Sequence, residues 1–140
     1  MIYAVIDTNV LVSALITRNS QSATVKVVRC LLEGGFIPLY DNDIIEEYED
    51  VLHRYKFNIL PDVTESLISL IVEKGIEIHR TAFSDSMLDE DDRAFYEITL
   101  SVDDSFLVTG NLKHFPDSPK VVTPSEFIEI LEGDKLNLQT

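Results

Sequence analysis

The sequence predicts an α/β fold, three layers deep, in which helices cover both faces of a central parallel sheet of about five short strands. Three observations carry this reading. Brief apolar runs such as Ile2-Tyr3-Ala4-Val5-Ile6 and Phe36 to Tyr40 have the length and continuity of strands buried on both faces. Helix-length amphipathic segments alternate with them. Polar, mostly acidic residues follow the ends of several runs, where strand-to-helix turns belong.

The first strand, Ile2 to Ile6, stops at Asp7-Thr8-Asn9, a combination suited to a helix start, and Val10 to Ile16 reads as a short apolar helix. Thr17 to Ser22 is polar and loop-like, with Ser20 or Ser22 as the candidate cap of a second helix from about Ala23 to Glu33. Gly34-Gly35 ends that helix, because glycine readily takes the left-handed conformation at a helix C-terminus. Phe36 to Tyr40 is the second strand, and Asp41-Asn42 caps a helix continuing to about Tyr55. Pro61 precedes a helical stretch, Val63 to Lys74, closed by Gly75, and Ile76 to His79 is the third strand. An acidic loop occupies Ser84 to Asp91, followed by a helix from about Glu90 to Ser101. Ser105 to Val108 is the fourth strand, ended by Thr109-Gly110-Asn111. Val121-Val122 supplies a short fifth, and Pro124 stands where a first helical turn tolerates it, opening Ser125 to Leu131.

With 140 residues, 45% of them apolar and 26% charged, the chain is expected to form one domain over residues 1–140. A chain of this length buries roughly 70% of its unfolded surface, enough for a core without staples. Five Gly and five Pro exclude a collagen-like or low-complexity chain, and seven Phe with five Tyr argue against disorder. No apolar stretch approaches the roughly 18 residues of a membrane span. The N-terminus shows no basic segment of a secretion signal, so the cytoplasm is the expected compartment. Cys30 stands alone, which excludes a disulfide framework and a cysteine zinc site. Eleven Lys plus Arg against 25 Asp plus Glu give a net charge of −14 at pH 7. That balance argues against broad, tight nucleic-acid binding and permits a divalent-metal site, a local cationic rim or a basic protein partner.

In parallel α/β sheets ligands bind beyond the C-terminal ends of the strands, where the strand order reverses. Asp7 lies at such an end. It has two readings: an N-cap accepting helix N–H groups, or a metal ligand flanked by the hydrogen-bonding side chains of Thr8 and Asn9. On the helix from Asp43 to Tyr55, the residues Ile44, Ile45, Tyr48, Val51, Leu52 and Tyr55 share one face. Glu47 and Glu49 then border that stripe on opposite sides, while Glu46 and Asp50 point away. Either border acid can reach a cleft. Asp85, Asp89, Glu90, Asp91 and Asp92 crowd ahead of a helix whose buried side carries Phe95, Ile98, Thr99 and Val102. Acids favour a helix start, Asp89 is a candidate cap, and a divalent cation would relieve the repulsion. Spacing does not select which of these acids faces inward.

Asp103 and Asp104 precede the fourth strand and Asn111 follows it, where an amide oxygen can ligate a metal more weakly than a carboxylate. Arg18, Arg93, Lys113 and His114 fall in or beside these loops as candidates to meet phosphates, whereas His53 and His79 read as structural. Three or four oxygen ligands on separate elements describe a hard-cation site for Mg²⁺ or Mn²⁺, able to activate water and stabilise charge on a phosphoryl group. No Walker A, GxGxxG, GxSxG or HExxH pattern occurs, so kinases, dinucleotide oxidoreductases, α/β-hydrolases and zincins lose support.

Four blocks, Ile6 to Val10, Ile44 to Leu52, Asp89 to Phe95 and Val108 to Pro116, together resemble the PIN-domain family in order and spacing over nearly the whole chain. The likeness is greatest to its branch of toxin components of prokaryotic toxin–antitoxin systems. The resemblance implies a compact α/β/α fold and a metal-dependent ribonuclease, an endonuclease hydrolysing RNA phosphodiester bonds. Carried over by position, it implies Asp7, Glu47 and Asp92 as catalytic acids. Asp7 and Asp92, with Glu47 as a further ligand, would hold Mg²⁺ (or Mn²⁺), and Glu47 would orient or deprotonate the attacking water. The family's fourth acidic position is Asn111 here, an uncharged metal ligand, which implies one metal or a weak second one, with Asp104 near enough to lend charge. Thr8, Asn9 and Thr109 would position ligands or substrate, and Arg93 or Lys113 would offset phosphate charge. The implied partners are RNA, an antitoxin that covers the site with an Arg or Lys, and a second copy in a homodimer.

Two other readings stand beside the ribonuclease. A catalytically weak or inactive PIN-like binding or assembly module fits Asn111 and the −14 charge. A different Mg²⁺ phosphohydrolase is disfavoured, because Asp7-Thr8-Asn9 lacks the second Asp of a haloacid-dehalogenase-like nucleophile loop.

Overall fold

Ala4, Val5 and Ile6 are almost completely buried, and the strand they belong to, β1 (Tyr3–Ile6), is the middle of a five-stranded parallel sheet. The computed structural model describes residues 1–139. After β1 come α1 (Thr8–Ile16), α2 (Ala23–Leu32), β2 (Ile37–Tyr40), α3 (Asn42–Leu52), α4 (Pro61–Lys74) and β3 (Ile76–Glu77). The second half contains α5 (Arg93–Ser101), β4 (Ser105–Val108), β5 (Val121–Val122) and α6 (Pro124–Gln139). Short 3-10 turns lie at Tyr55–Phe57, Glu90–Asp92 and Leu112–His114. The strand order is β3-β2-β1-β4-β5, flanked by helices in a three-layer α/β/α arrangement.

That order contains one reversal. The chain steps from β1 to β2 to β3 on one side, then crosses β1 and continues with β4 and β5 on the other. β1 and β4 pair in register from Tyr3 with Ser105 to Ile6 with Val108, so both strands end side by side. The Asp7 N–H donates to the Val108 carbonyl at 2.9 Å, and the Thr109 N–H donates to Val122 O at 2.9 Å. Asp7 and Thr109 are therefore the adjacent first residues beyond the sheet, at its switch point. Beneath them the core is filled by large side chains including Leu11, Leu31, Leu39, Tyr48, Phe95 and Phe127. Phe36 meets Phe127 edge-on with ring centroids 5.0 Å apart, within the preferred geometry for aromatic pairs.

Local chemistry explains the element boundaries. Ser22, rather than Ser20, caps α2 by accepting from the Val25 N–H at 3.3 Å, and Asp41 caps α3 through Ile44 N–H at 2.9 Å. Gly34, at φ +76°, makes the left-handed exit from α2 that other residues disfavour. α1 begins at Thr8, two residues before Val10, because Asp7 itself is the extended residue at the turn. α4 includes Pro61, whose missing N–H costs nothing in a first turn.

Other expected boundaries are corrected. α3 stops at Leu52 instead of reaching Tyr55, which is 98% exposed in a separate 3-10 turn and shares no buried face with Ile44. β3 shortens to Ile76–Glu77 at the sheet edge. The helix expected from Glu90 begins at Arg93, since Asp92 N–H closes a tight turn onto Asp89 O at 3.1 Å. α6 passes through Gly133 and continues to Gln139 rather than ending at Leu131.

Candidate metal centre at the switch point

Asp7 is only 3% exposed, which is unusual for a carboxylate. It occupies the cap position of α1 but makes no capping hydrogen bond. Its Oδ2 instead accepts the Thr109 hydroxyl at 2.7 Å, across the β1–β4 seam. Burial raises the proton affinity of its carboxyl, opposed by that hydroxyl, by the nearby N–H groups of Asn9 and Thr8, and by His114. The carboxylate therefore faces both the start of α1 and the β1–β4 seam.

Glu47 reaches the same place from α3. Tyr48, next to it and fully buried, donates its hydroxyl to the Ile6 carbonyl at 2.5 Å, which fastens α3 to the end of β1. The half-buried Glu47 then accepts a short hydrogen bond from the buried Thr8 hydroxyl at Oε2. Glu49, Glu46 and Asp50 are all exposed, so one border acid of the helix turns inward and the other does not. Burial raises the Glu47 carboxyl above its ordinary range; the Thr8 hydrogen bond opposes this, and the charges of Asp7, Asp92 and Asp91 add to it.

Asp92 arrives on the 3-10 turn before α5. Burial, then the charges of Asp7 and Asp89, push its carboxyl up to about 6 against the counteracting His114. Its Oδ2 is buried without a hydrogen-bond partner. His114 Nδ1 lies 3.3 Å from that oxygen, off hydrogen-bond alignment. Asp89, Asp92 and His114 each present a ligand atom, all within 4.8 Å of one another.

The remaining expected residues divide. Asn111, half-buried, donates its backbone N–H to Thr109 Oγ1 at 3.0 Å and opens the turn that carries His114. Asn9 and Lys113 are exposed at the rim. Arg93 turns back into its own loop. Its guanidinium meets Glu90 Oε2 at 2.5 Å and donates to the carbonyls of Phe83 at 2.5 Å and Asp85 at 2.8 Å. Asp104 does not lend charge to this site: it precedes β4 at φ +60°, so the length of the strand separates it from Thr109. Arg18 follows the nine-residue α1, which leads away from Asp7.

A brace around the acidic loop escaped the sequence. Arg80 contacts Asp41 at 2.6 Å, Asp43 at 2.5 Å and Glu97 at 2.8 Å. Glu97 is buried and accepts the Phe83 N–H through its second oxygen at 2.7 Å. Arg80 and Arg93 thereby hold both flanks of the segment that delivers Asp92. Beside Glu47 this leaves a cleft of about 280 Å³, bordered by Asp43, Arg80, Glu90, Asp91 and Arg93. A helical wheel could not reveal Glu97, because it opposes the Phe95 face; α5 is buried all round from Phe95 to Thr99.

The donor set suits a divalent cation: carboxylates from three elements, burial that raises their proton affinity with the charge of Asp7 adding at Glu47 and Asp92, and one buried oxygen without a hydrogen-bond partner. Among the described residues no helix is long and apolar enough to cross a membrane. No curated protein and no solved structure matches the chain. The family model of the PIN domain matches residues 3–113, which include Asp7, Glu47, Asp92 and Asn111. On that match, with the switch-point carboxylates on the reversed parallel sheet, the chain belongs to the PIN-domain family.

Proposed function

We propose that this protein is a metal-dependent ribonuclease, an endonuclease that hydrolyses RNA phosphodiester bonds, and the toxin of a toxin–antitoxin module. PIN domains are generally metal-dependent nucleases, and the match spans residues 3–113, within which Asp7, Glu47 and Asp92 lie. The observation that carries the proposal is the set of three acids Asp7, Glu47 and Asp92, each with its proton affinity raised first by burial, with the charge of Asp7 adding at Glu47 and at Asp92. Such a cluster costs free energy in an empty fold, and a divalent cation offsets the cost.

Asp7 and Asp92 would hold Mg²⁺ or Mn²⁺, with the Asn111 amide oxygen as a neutral third donor. Bound there, the ion supplies Lewis-acid stabilisation of charge on the phosphoryl oxygens. Glu47 accepts the proton of the attacking water, a role suited to its raised proton affinity and to the Thr8 hydroxyl that fixes one of its oxygens. As the water oxygen bonds to phosphorus, the ribose oxygen leaves and takes a proton from solvent. Thr109 holds Asp7 in orientation. Asn9 and Lys113 meet the flanking phosphates from the rim, while Arg93 acts by bracing the acidic loop. The net charge of −14 supports a cationic antitoxin segment whose Arg or Lys enters the carboxylate cluster. The chain acts as a single domain, residues 1–140, in the cytoplasm, and pairs as a homodimer.

The test is cleavage of a mixed tRNA and single-stranded RNA panel in Mg²⁺, Mn²⁺ or EDTA. Wild type cuts only with metal, Asp7→Asn and Asp92→Asn lose cutting, and Glu47→Gln slows it by about 10²–10⁴-fold. A second reading, a PIN-like assembly module with little or no activity, is favoured by Asn111 at the fourth acidic position. Wild type no faster than Asp7→Asn in every metal would establish it. Growth arrest on expression, relieved by a neighbouring small basic protein, checks the toxin role.

A further inference from the structure

We propose that His114 is a metal ligand, and that Asp89, Asp92 and His114 form a mixed oxygen and nitrogen site that prefers Mn²⁺ and later transition ions to Mg²⁺. The inference rests on the metal-dependent reading of the switch-point site. It adds a nitrogen ligand to a site otherwise described with oxygen donors alone.

Three observations converge. The ligand atoms of Asp89, Asp92 and His114 lie within 4.8 Å of one another. Ligands bonded to one first-row ion at about 2.0–2.2 Å stand roughly 3 Å apart when adjacent and roughly 4.3 Å apart when opposite. A small side-chain rotation therefore closes the set on one ion. Next, Asp92 Oδ2 is buried and accepts no hydrogen bond, although the His114 ring nitrogen is 3.3 Å away. A structural Asp–His pair would align that N–H with the oxygen. Two ligand atoms this close, with no well-aligned hydrogen bond between them, can bind one ion together.

Finally, the backbone orients Asp89 and His114. Asp89 Oδ1 is committed to the Asp91 N–H at 3.0 Å, which orients its carboxyl. The His114 N–H closes onto Asn111 O at 3.0 Å, so the turn begun at Asn111 delivers the imidazole three residues later. Where the family places an acid this chain has Asn111, and His114 supplies a stronger donor to soft and borderline ions than an amide does. Imidazole suits the later first-row ions such as Zn²⁺ best, and Mn²⁺ accepts it more readily than Mg²⁺, which favours oxygen and water. The nitrogen ligand thus sets the metal preference.

The experiment uses the purified full chain, stripped with EDTA and titrated calorimetrically with Mn²⁺ and with Mg²⁺, together with pulsed electron paramagnetic resonance of the Mn²⁺ complex. Wild type is expected to show nitrogen modulation from one imidazole. His114→Gln loses that modulation and about tenfold of Mn²⁺ affinity, with a smaller change for Mg²⁺. His53→Gln and His79→Gln keep it, and Asp89→Asn weakens Mn²⁺ binding while the nitrogen signal remains. His114 is 41% exposed, so its variant is expected to fold, and thermal unfolding in EDTA checks this. Modulation absent in wild type, or unchanged in His114→Gln, overturns the assignment. If Asp92→Asn then still abolishes metal-dependent cleavage, the ribonuclease reading survives without His114. A nitrogen signal in a protein that cleaves no RNA keeps the site and removes the nuclease. An absence of Mn²⁺ binding overturns the assignment outright.

Discussion

Thr109 spends its hydroxyl on a buried carboxylate, which makes it the most direct probe of Asp7. Thr109→Val keeps the shape and removes the donor, leaving Asp7 Oδ2 without its partner. The metal-free protein is expected to lose about 1–3 kcal/mol in urea unfolding, the cost of an unsatisfied buried polar group. Asp92 gives a pH signature. Its carboxyl titrates at about 6 in the fold, against 3.8 as the ordinary value, so the folded state holds the proton more tightly than the unfolded chain. Stability therefore falls as pH rises through that window. Metal-free protein should melt at progressively lower temperature from about pH 4 to about pH 6, and Asp92→Asn should flatten that stretch of the profile; differential scanning calorimetry with EDTA reads both. At this scale the sequence identified Asp7 as a strand-end acid but left Glu47 and Glu49 equivalent. Only the Tyr48 contact to Ile6, which rolls α3 toward β1, separates them.

The elements depend on the brace that holds the loop before α5. Arg80 is 23% exposed and ties Asp41 at the start of α3 to the buried Glu97 of α5. Arg80→Leu removes the partner of a largely buried acid. The expected destabilisation is somewhat below the roughly 3–5 kcal/mol seen when a fully buried ion pair is broken, because water reaches this guanidinium. Limited proteolysis should then cut within residues 81–92 faster than in wild type, with Mn²⁺ affinity falling in parallel. Elements with a local signature were legible: the apolar run of β1, the Ser22 and Asp41 caps, and Pro61 at a first turn. The shortening of α3 and the separate turn at Glu90–Asp92 were not. Both depend on backbone closure, not on residue pattern.

Over the whole molecule, a charge of −14 coexists with a proposed polyanionic substrate. The basic rim must then be small. RNA binding is expected to depend weakly on salt, with a slope of log K against log salt near one or two, since each neutralised phosphate of a single strand contributes about 0.7. Lys113→Ala should reduce that slope by one such increment, measured by fluorescence anisotropy between low and physiological salt. A slope near ten would require a basic surface that the composition does not supply.

The sequence by itself determined the α/β class, the order of the strands and helices along the chain, and the pool of acids from which a metal site is drawn. Hydrophobic period and capping residues act over a few positions, and this information is local. Tertiary structure decided the rest. The reversal of strand order between β1 and β4 brought Asp7 to Thr109, 102 residues apart. Other contacts set the remaining positions: β4 keeps Asp104 a strand's length from Thr109, the Tyr48 bond to Ile6 rolls Glu47 inward, Arg93 closes onto its own loop, and the turn begun at Asn111 sets His114 beside Asp92. Each of these contacts joins residues on different elements or across a turn, and no spacing along the chain encodes the distance between them once the sheet has folded.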